Sequence, residues 1–389
     1  MNIGLFADCY QPTVSGVVTS LLQLKKGLES RGHKALVFTV TTPGCPEEDG
    51  AVRYFPSLPF NRASDFRLGL AHPGAVQRMV REEQLDLIHT HTEYSLGWAG
   101  KRSAQRLGLA FVHTAHTLHE AYRHYLPFGE ALPTRYVQHY LRLFLSNCDA
   151  LICPSEKART YFQTFLPGLD ATVISNGVSR THFQPQPPSG EQQVLIRRKL
   201  GLCATDQVIL YAGRIAQEKR VVELLEALVP LLQARPQARL LFVGSGPAVQ
   251  HLAMAVERNR VGRQVVLAGK VEWQQMHRFY SLAHLFVTAS LCEMHPMTLI
   301  EACLCGLPVV ARHDAAYADL VHDGKNGYLV ASDRAIAAKA LELLEDERTR
   351  ERFSQNARAL SEAFRAERHV GHVEALYRQV IEKKSASKG

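Results

Sequence analysis

The stretch Ser290-Leu-Cys-Glu293-Met-His295-Pro296-Met297-Thr298-Leu-Ile-Glu301-Ala-Cys-Leu-Cys-Gly306-Leu-Pro308-Val-Val310 decides how the rest of this chain reads. It follows an apolar strand candidate, His284 to Ala289. Glu293 stands in the loop after that strand, Glu301 on the helix that follows, and Gly306-Leu307-Pro308 ends the helix and opens another apolar run. A strand, a polar loop and a helix N-terminus make an anion site at the carboxyl edge of a parallel sheet. Two carboxylates so placed can grip hydroxyl groups at both ends of a bound diphosphate ester, the arrangement a sugar nucleotide needs. The alternative is a solvated helix face with a cap.

Outward from this stretch, short apolar runs alternate with helical patterns. On the N-terminal side the strand candidates are Ile3–Ala7, Ala35–Val40, Leu85–His89, Ala110–Thr114, Ala150–Cys153 and Thr172–Ser175. Val17, Leu21, Leu24 and Leu28 recur at helical spacing, and Gly32 supplies a helix end. Gln184-Pro-Gln-Pro-Pro-Ser-Gly190 interrupts the alternation as a linker would. It then restarts with Val208–Ala212, Leu240–Val243, Val265–Leu267, Leu285–Thr288 and Val309–Ala311. Strands alternating with helices mean parallel βαβ units, so two doubly wound Rossmann-like lobes are expected, facing across a ligand cleft. The boundaries drawn are 1–182 for an acceptor-binding lobe, 183–203 for the linker, 204–362 for a nucleotide-sugar lobe and 363–389 for a C-terminal helix.

Four further constellations carry chemistry. Tyr211-Ala-Gly213-Arg214-Ile215 with Glu218-Lys219 places a turn-forming glycine before two cations. Arg214 can hold a phosphate bidentately, and Lys219 adds a point charge; a surface salt-bridge cluster is the alternative. Gly244-Ser245-Gly246-Pro247 follows another strand. In the first lobe, Asp8-Cys-Tyr10-Gln-Pro-Thr-Val14-Ser15-Gly16 joins strand to helix, and Gly16 would allow close approach to a phosphate or sugar, though a simple capped turn explains the geometry equally. His116 ends an apolar strand within Thr114-Ala-His116-Thr-Leu-His119-Glu-Ala-Tyr122-Arg-His-Tyr125.

These motifs together resemble the retaining GT-B glycosyltransferases of family 4, with Glu293 and Glu301 matching its Glu-x7-Glu signature. The segment from Thr114 to Tyr125 and the run Ala315 to Gly327 resemble, more narrowly, bacterial diacylglycerol hexosyltransferases. The resemblance implies a GT-B fold whose last helix crosses back to the first lobe. It implies catalytic roles for His116, Glu293, Arg214 and Lys219, with His116 and Glu293 meeting the donor sugar and Glu301 the ribose. Donor binding falls by the same resemblance to Gly16, Gly213, Gly244, Gly246, His295, Pro296, Met297, Thr298 and Glu301, and acceptor binding to Asp8, Tyr10, Val14 and Tyr125. The chain departs from the family's pattern at Arg220, where many relatives have Gly, and at Ser245, where an acidic residue is usual. The implied reaction is retaining transfer of a hexose, glucose foremost, from a UDP-sugar to a membrane lipid hydroxyl such as that of 1,2-diacylglycerol. The alternatives are a mannosyl- or N-acetylhexosaminyltransferase on a soluble or polyprenyl-linked acceptor, and, in another class, a sugar-nucleotide epimerase or sensor of the same fold.

Composition sets the remaining bounds. At 389 residues with 46% hydrophobic and 21% charged side chains, the chain is ordinary for a globular protein, and it has no apolar run long enough to span a bilayer. No secretory leader is evident, so a cytoplasmic protein, peripheral on the inner face of the cell membrane, is expected. The eight cysteines lack Cys-x-x-Cys spacing, and no Asp-x-Asp motif is present, so no metal and no cofactor beyond the donor are expected. The net charge of +8 could attract nucleic acid or an anionic membrane, and it is equally that of an ordinary basic surface and tail. A basic, aromatic-bearing helix near Pro133–Asn147 could lie on an anionic bilayer or pack as an ordinary core helix. Nothing supports nucleic-acid binding: no motif or aromatic interleaving accompanies the charge.

Overall fold

A computed structural model describes residues 1–45, 50–59, 67–125, 133–184 and 190–387, with the backbone alone at His124 and Tyr125. The chain divides into two compact units, one of Met1–Gly177 with Ala366–Gly389 and one of Val178–Arg365.

The first unit runs β1 (Asn2–Phe6), α1 (Gly16–Ser30), β2 (Lys34–Val40), β3 (Val52–Phe55), β4 (Ser57–Pro59), β5 (Arg67–Gly69), α2 (Pro73–Glu82), β6 (Leu87–Thr90), α3 (Ser95–Leu107), β7 (Ala110–Thr114), α4 (Thr134–Leu145), β8 (Ala150–Cys153), α5 (Glu156–Gln163) and β9 (Ala171–Val173). Seven strands form one parallel sheet in the order β3-β2-β1-β6-β7-β8-β9, and β4 pairs antiparallel with β5. The order reverses between β1 and β6, so the loops after these strands meet at a topological switch point. In α1, Val18, Leu21, Leu24 and Leu28 are buried on one face, each contributing about 1.5–3 kcal/mol. The C-terminal helix Ala366–Ala386 completes this core with Val370, Val373, Tyr377 and Val380. Of the patch noted near Pro133–Asn147, Leu141, Phe144 and Leu145 are buried in the unit, whereas Tyr136 (54% exposed) and Leu143 (50%) face outward.

The second unit runs α6 (Glu191–Lys199), β10 (Gln207–Ala212), α7 (Val221–Ala234), β11 (Ala238–Val243), α8 (Val249–Arg258), β12 (Val265–Gly269), α9 (Met276–Tyr280), β13 (Leu285–Thr288), α10 (Met297–Leu304), β14 (Val309–Arg312), β15 (Gly327–Val330), α11 (Arg334–Glu345) and α12 (Glu347–Ser361). Its six-stranded sheet is parallel throughout, ordered β12-β11-β10-β13-β14-β15. The fold class is therefore the expected one: two Rossmann-like halves built on parallel sheets. The stretch 183–203 differs from a plain linker. Residues 185–189 lie outside the described residues, but Glu191–Lys199 is helical and anchored, with Gln193 donating to the Arg278 carbonyl at 3.2 Å. The division between units falls instead at Gly177 and Val178. Strands β3, β4, β5 and β15 add to the expected set; each is only three or four residues long, too short for an alternation to stand out.

Candidate active site

In the second unit the candidate residues gather at the carboxyl ends of β10, β11 and β13. The loops after β10 and β11 are joined by backbone bonds: Gly213 N–H donates to Val243 O (3.0 Å), Ile215 N–H to Ser245 O (2.9 Å) and Ala248 N–H to Ile215 O (2.9 Å). A Cβ on Gly244 would lie 1.8 Å from the Gly213 carbonyl oxygen, and one on Gly246 would lie 2.3 Å from that of Ile215. Both positions also have positive φ (144° and 157°), so glycine is required here for the loops to close on one another.

Around the next strand end a charged cluster forms. Lys219 Nζ lies 2.8 Å from Glu293 Oε1, which also accepts from Ser290 Oγ at 2.8 Å. The Tyr317 hydroxyl donates to the Ser290 carbonyl at 2.9 Å and fixes the loop that carries Glu293. Arg214 is placed by a bond from the Tyr211 hydroxyl to its carbonyl (3.0 Å). Helix α10 begins at Met297 after Pro296, with no side-chain cap. Its first N–H groups, at Met297 and Thr298, therefore have no intrahelical carbonyl and can meet an anion. His295, just before it, is buried with its ring 5.7 Å from that of Phe364.

Glu301, which the resemblance assigns to the donor ribose, is held by side chains of its own unit. It is 2% exposed; Oε1 accepts from Trp273 Nε1 (2.8 Å) and Oε2 from the Tyr280 hydroxyl (2.7 Å). Burial without a cation outweighs these two bonds and pushes its carboxyl up to about 7. Arg220, the departure from glycine, sits in the left-handed region (φ 54°) and pairs with Asp333 at 2.6 Å. The backbone conformation explains why glycine suits this position, and the ion pair offsets the strain.

In the first unit, Asp8 is 1% exposed and caps α3. Oδ1 accepts from Leu96 N–H (2.9 Å) and from Ser95 Oγ, and Oδ2 accepts from Thr92 Oγ1 (2.7 Å) and Gly97 N–H (3.5 Å). Tyr10 is 4% exposed within the core. The acceptor role expected of these two does not follow from where they stand: one carboxylate is committed to a helix end and one ring to packing. Val14 is exposed and Gly16 opens α1 behind the cap Ser15, whose Oγ accepts from Val18 N–H at 3.3 Å. The Tyr125 side chain lies outside the described residues.

His116 follows β7, its Nε2 hydrogen-bonded at 3.1 Å to Nδ1 of His91, which follows β6. Burial first, then the neighbouring His113, holds His116 down at about 3, so it is a neutral imidazole at ordinary pH. His91, Glu93 and its partner His113 went unnoticed in the sequence, and its other partner, His119, stood in the quoted segment without a role. The signal was the polar run His89-Thr-His-Thr-Glu93 at the end of an otherwise apolar strand. Among the described residues no group of three or more His, Cys, Asp or Glu could hold a metal, and no helix is long and apolar enough to cross a membrane.

Residues 14–182 match the family Glycosyltransferase Family 4, and residues 192–360 match Glycosyl transferases group 1. The chain is 30% identical over 345 residues to alpha-monoglucosyldiacylglycerol synthase of Streptococcus pneumoniae, covering 88% of this chain and 78% of that protein. It is 28% identical over 394 residues to the enzyme of the same name from Acholeplasma laidlawii, covering 98% of each. Among solved structures, Anabaena HepE in complex with UDP and glucose superposes with a TM-score of 0.76 at 20% identity, over 97% of this chain and 99% of that one. That likeness makes the fold GT-B.

Proposed function

The chain belongs to glycosyltransferase family 4, a hexosyltransferase that uses a sugar-nucleotide donor, and on that premise we propose that it moves a hexose from UDP-hexose, with glucose foremost, to a hydroxyl of a diacylglycerol-type membrane lipid. The observation that carries the reading is the cluster at the end of β13. Lys219, Glu293 and Ser290 are drawn together beside the uncapped start of α10, where charge develops as a diphosphate leaves. In this reading Lys219, Arg214 and the N–H groups of Met297 and Thr298 balance the departing phosphate. Glu293 then meets a sugar hydroxyl, exchanging its bond with Lys219 or Ser290 for one to the donor. His116, neutral, hydrogen-bonds the sugar without adding charge. As the family resemblance implies, transfer runs with retention by same-face attack, the leaving phosphate taking the acceptor proton.

The lipid acceptor is supported by the names of the two relatives and by α4. Outward-facing Tyr136 and Leu143, with the Arg135 guanidinium 5.3 Å from the Tyr136 ring centre, suit a peripheral bilayer contact. Incubation with UDP-[14C]glucose and diacylglycerol in anionic vesicles tests the proposal. Label extracted into the organic phase as an α-glycoside supports it, and label that stays in water as free sugar contradicts it.

A further inference from the structure

Glu93, in the loop after β6, is 3% exposed and faces an imidazole from each carboxylate oxygen. Oε1 lies 3.1 Å from Nε2 of His113 in β7, whose Nδ1 is hydrogen-bonded to Thr90 Oγ1 at 2.8 Å. Oε2 lies 3.2 Å from Nε2 of His119, which opens the 3-10 turn His119–Tyr125. The Glu93 carbonyl accepts from the Tyr140 hydroxyl of α4, and that hydroxyl accepts from Trp98 Nε1 of α3 at 3.0 Å. One residue thus ties two strand ends and two helices to the segment that begins at His116.

The charge state follows from this geometry. Burial would raise the Glu93 carboxyl, but His119 and His113 together outweigh it and hold it well below the usual carboxylate range. Burial would lower His119, and Glu93 more than reverses this. The other titratable groups coupled to the pair are Cys9 after β1, Tyr94 before α3, His116 after β7, Tyr140 of α4, Tyr161 of α5 and Glu120 of the turn itself. Glu93 thus favours its carboxylate form, and the carboxylate in turn favours the protonated form of His119.

We propose that Glu93 is a positioning residue for sugar transfer: by facing His113 with one carboxylate oxygen and His119 with the other, it fixes the segment carrying His116 against the carboxyl edge of the first sheet. The inference rests on the reading above, in which His116 meets the donor sugar. A slack tether lets that imidazole drift, and a displacement of about 1 Å can cost on the order of 100-fold in rate.

Glu93→Gln keeps the volume and removes the charge. In the full chain, with UDP-glucose and diacylglycerol vesicles, kcat is expected to fall about 100-fold, while UDP affinity measured by calorimetry stays within about twofold. The wild-type rate should decline at alkaline pH as His119 loses its proton, and Glu93→Gln should move that limb to lower pH. His119→Gln should reproduce the loss, and the double variant should be no slower than either single one, because both remove the same tether. Wild-type turnover in Glu93→Gln, or additive losses in the double variant, would overturn the proposal. If Glu93→Gln fails to fold, His119→Gln decides alone: a rate loss at an unchanged melting temperature supports the tether, and an unchanged rate refutes it. Absence of transfer by the wild type would instead refute the functional reading, whereas transfer undiminished in the variants refutes only this inference.

Discussion

The indole nitrogen of Trp273 donates to Oε1 of Glu301 at 2.8 Å, so one carboxylate of the Glu-x7-Glu pair is satisfied from within its own unit. With Tyr280 on the other oxygen, both partners are neutral, and the carboxyl is pushed up to about 7 from the usual 4.5. A carboxyl raised on folding contributes stability that is fully present below about pH 4.5 and is lost as pH rises through about 7. Glu301→Gln removes this dependence. Between pH 5 and pH 8 the wild type should lose on the order of 2–3 kcal/mol relative to the variant in urea unfolding. Parallel pH dependence in the two proteins would contradict the burial argument.

Lys219 and Glu293 are both part-exposed, at 14% and 18% of their side chains, so their ion pair contributes little to the fold, on the order of 1 kcal/mol. Their worth lies in the chemistry. Lys219→Ala and Glu293→Ala should each lower kcat/KM by about 100- to 1000-fold with melting temperatures near that of the wild type. His116→Ala should likewise abolish transfer in a folded protein. Wild-type turnover in any of the three removes that residue from the site.

Arg220 occupies a left-handed conformation that costs a non-glycine residue about 1–2 kcal/mol. Its bond to Asp333 returns a similar amount. Arg220→Gly should therefore leave stability almost unchanged, whereas Arg220→Ala keeps the strain and loses the pair. Chemical denaturation should rank the glycine variant above the alanine variant by about 1–2 kcal/mol; the reverse order would show that the backbone strain is not felt.

Buried histidines give the first unit an acid limb. His89, His91, His116 and His369 are all held below the ordinary value of 6.5 chiefly by burial, His369 at about 4. Their contribution is fully present above pH 6.5 and is lost as pH falls towards 4. His369, whose Nδ1 is hydrogen-bonded to the Ser175 carbonyl at 2.8 Å, offers a direct test. His369→Gln keeps a donor for that carbonyl, and it should lose about 2 kcal/mol less than the wild type between pH 7.5 and pH 5. Equal losses would assign the acid limb elsewhere.

The parallel architecture was legible because buried parallel strands leave near-continuous apolar runs, as in Val208–Ala212 and Ala150–Cys153. The loop cluster after β10 and β13 was legible through Gly213, Lys219 and Glu293, which lie close to strand ends that could be counted. What hid were relationships spanning long sequence distances. Glu301 meets Trp273, 28 residues away, and Asp8 caps a helix that begins 87 residues later. A carboxylate facing a ligand and one facing an indole look the same in a sequence. Glu93 was missed for the same reason, since its two histidines come from a different strand and from the turn beyond it.

In the function proposed above, a sugar passes from a uridine nucleotide to a lipid. Nucleotide release measured side by side from UDP-glucose, UDP-galactose and GDP-mannose, with and without diacylglycerol in anionic vesicles, tests it most directly. The expected result is release from a UDP-hexose that depends on the vesicles. Release from GDP-mannose alone, or release indifferent to lipid, would contradict it.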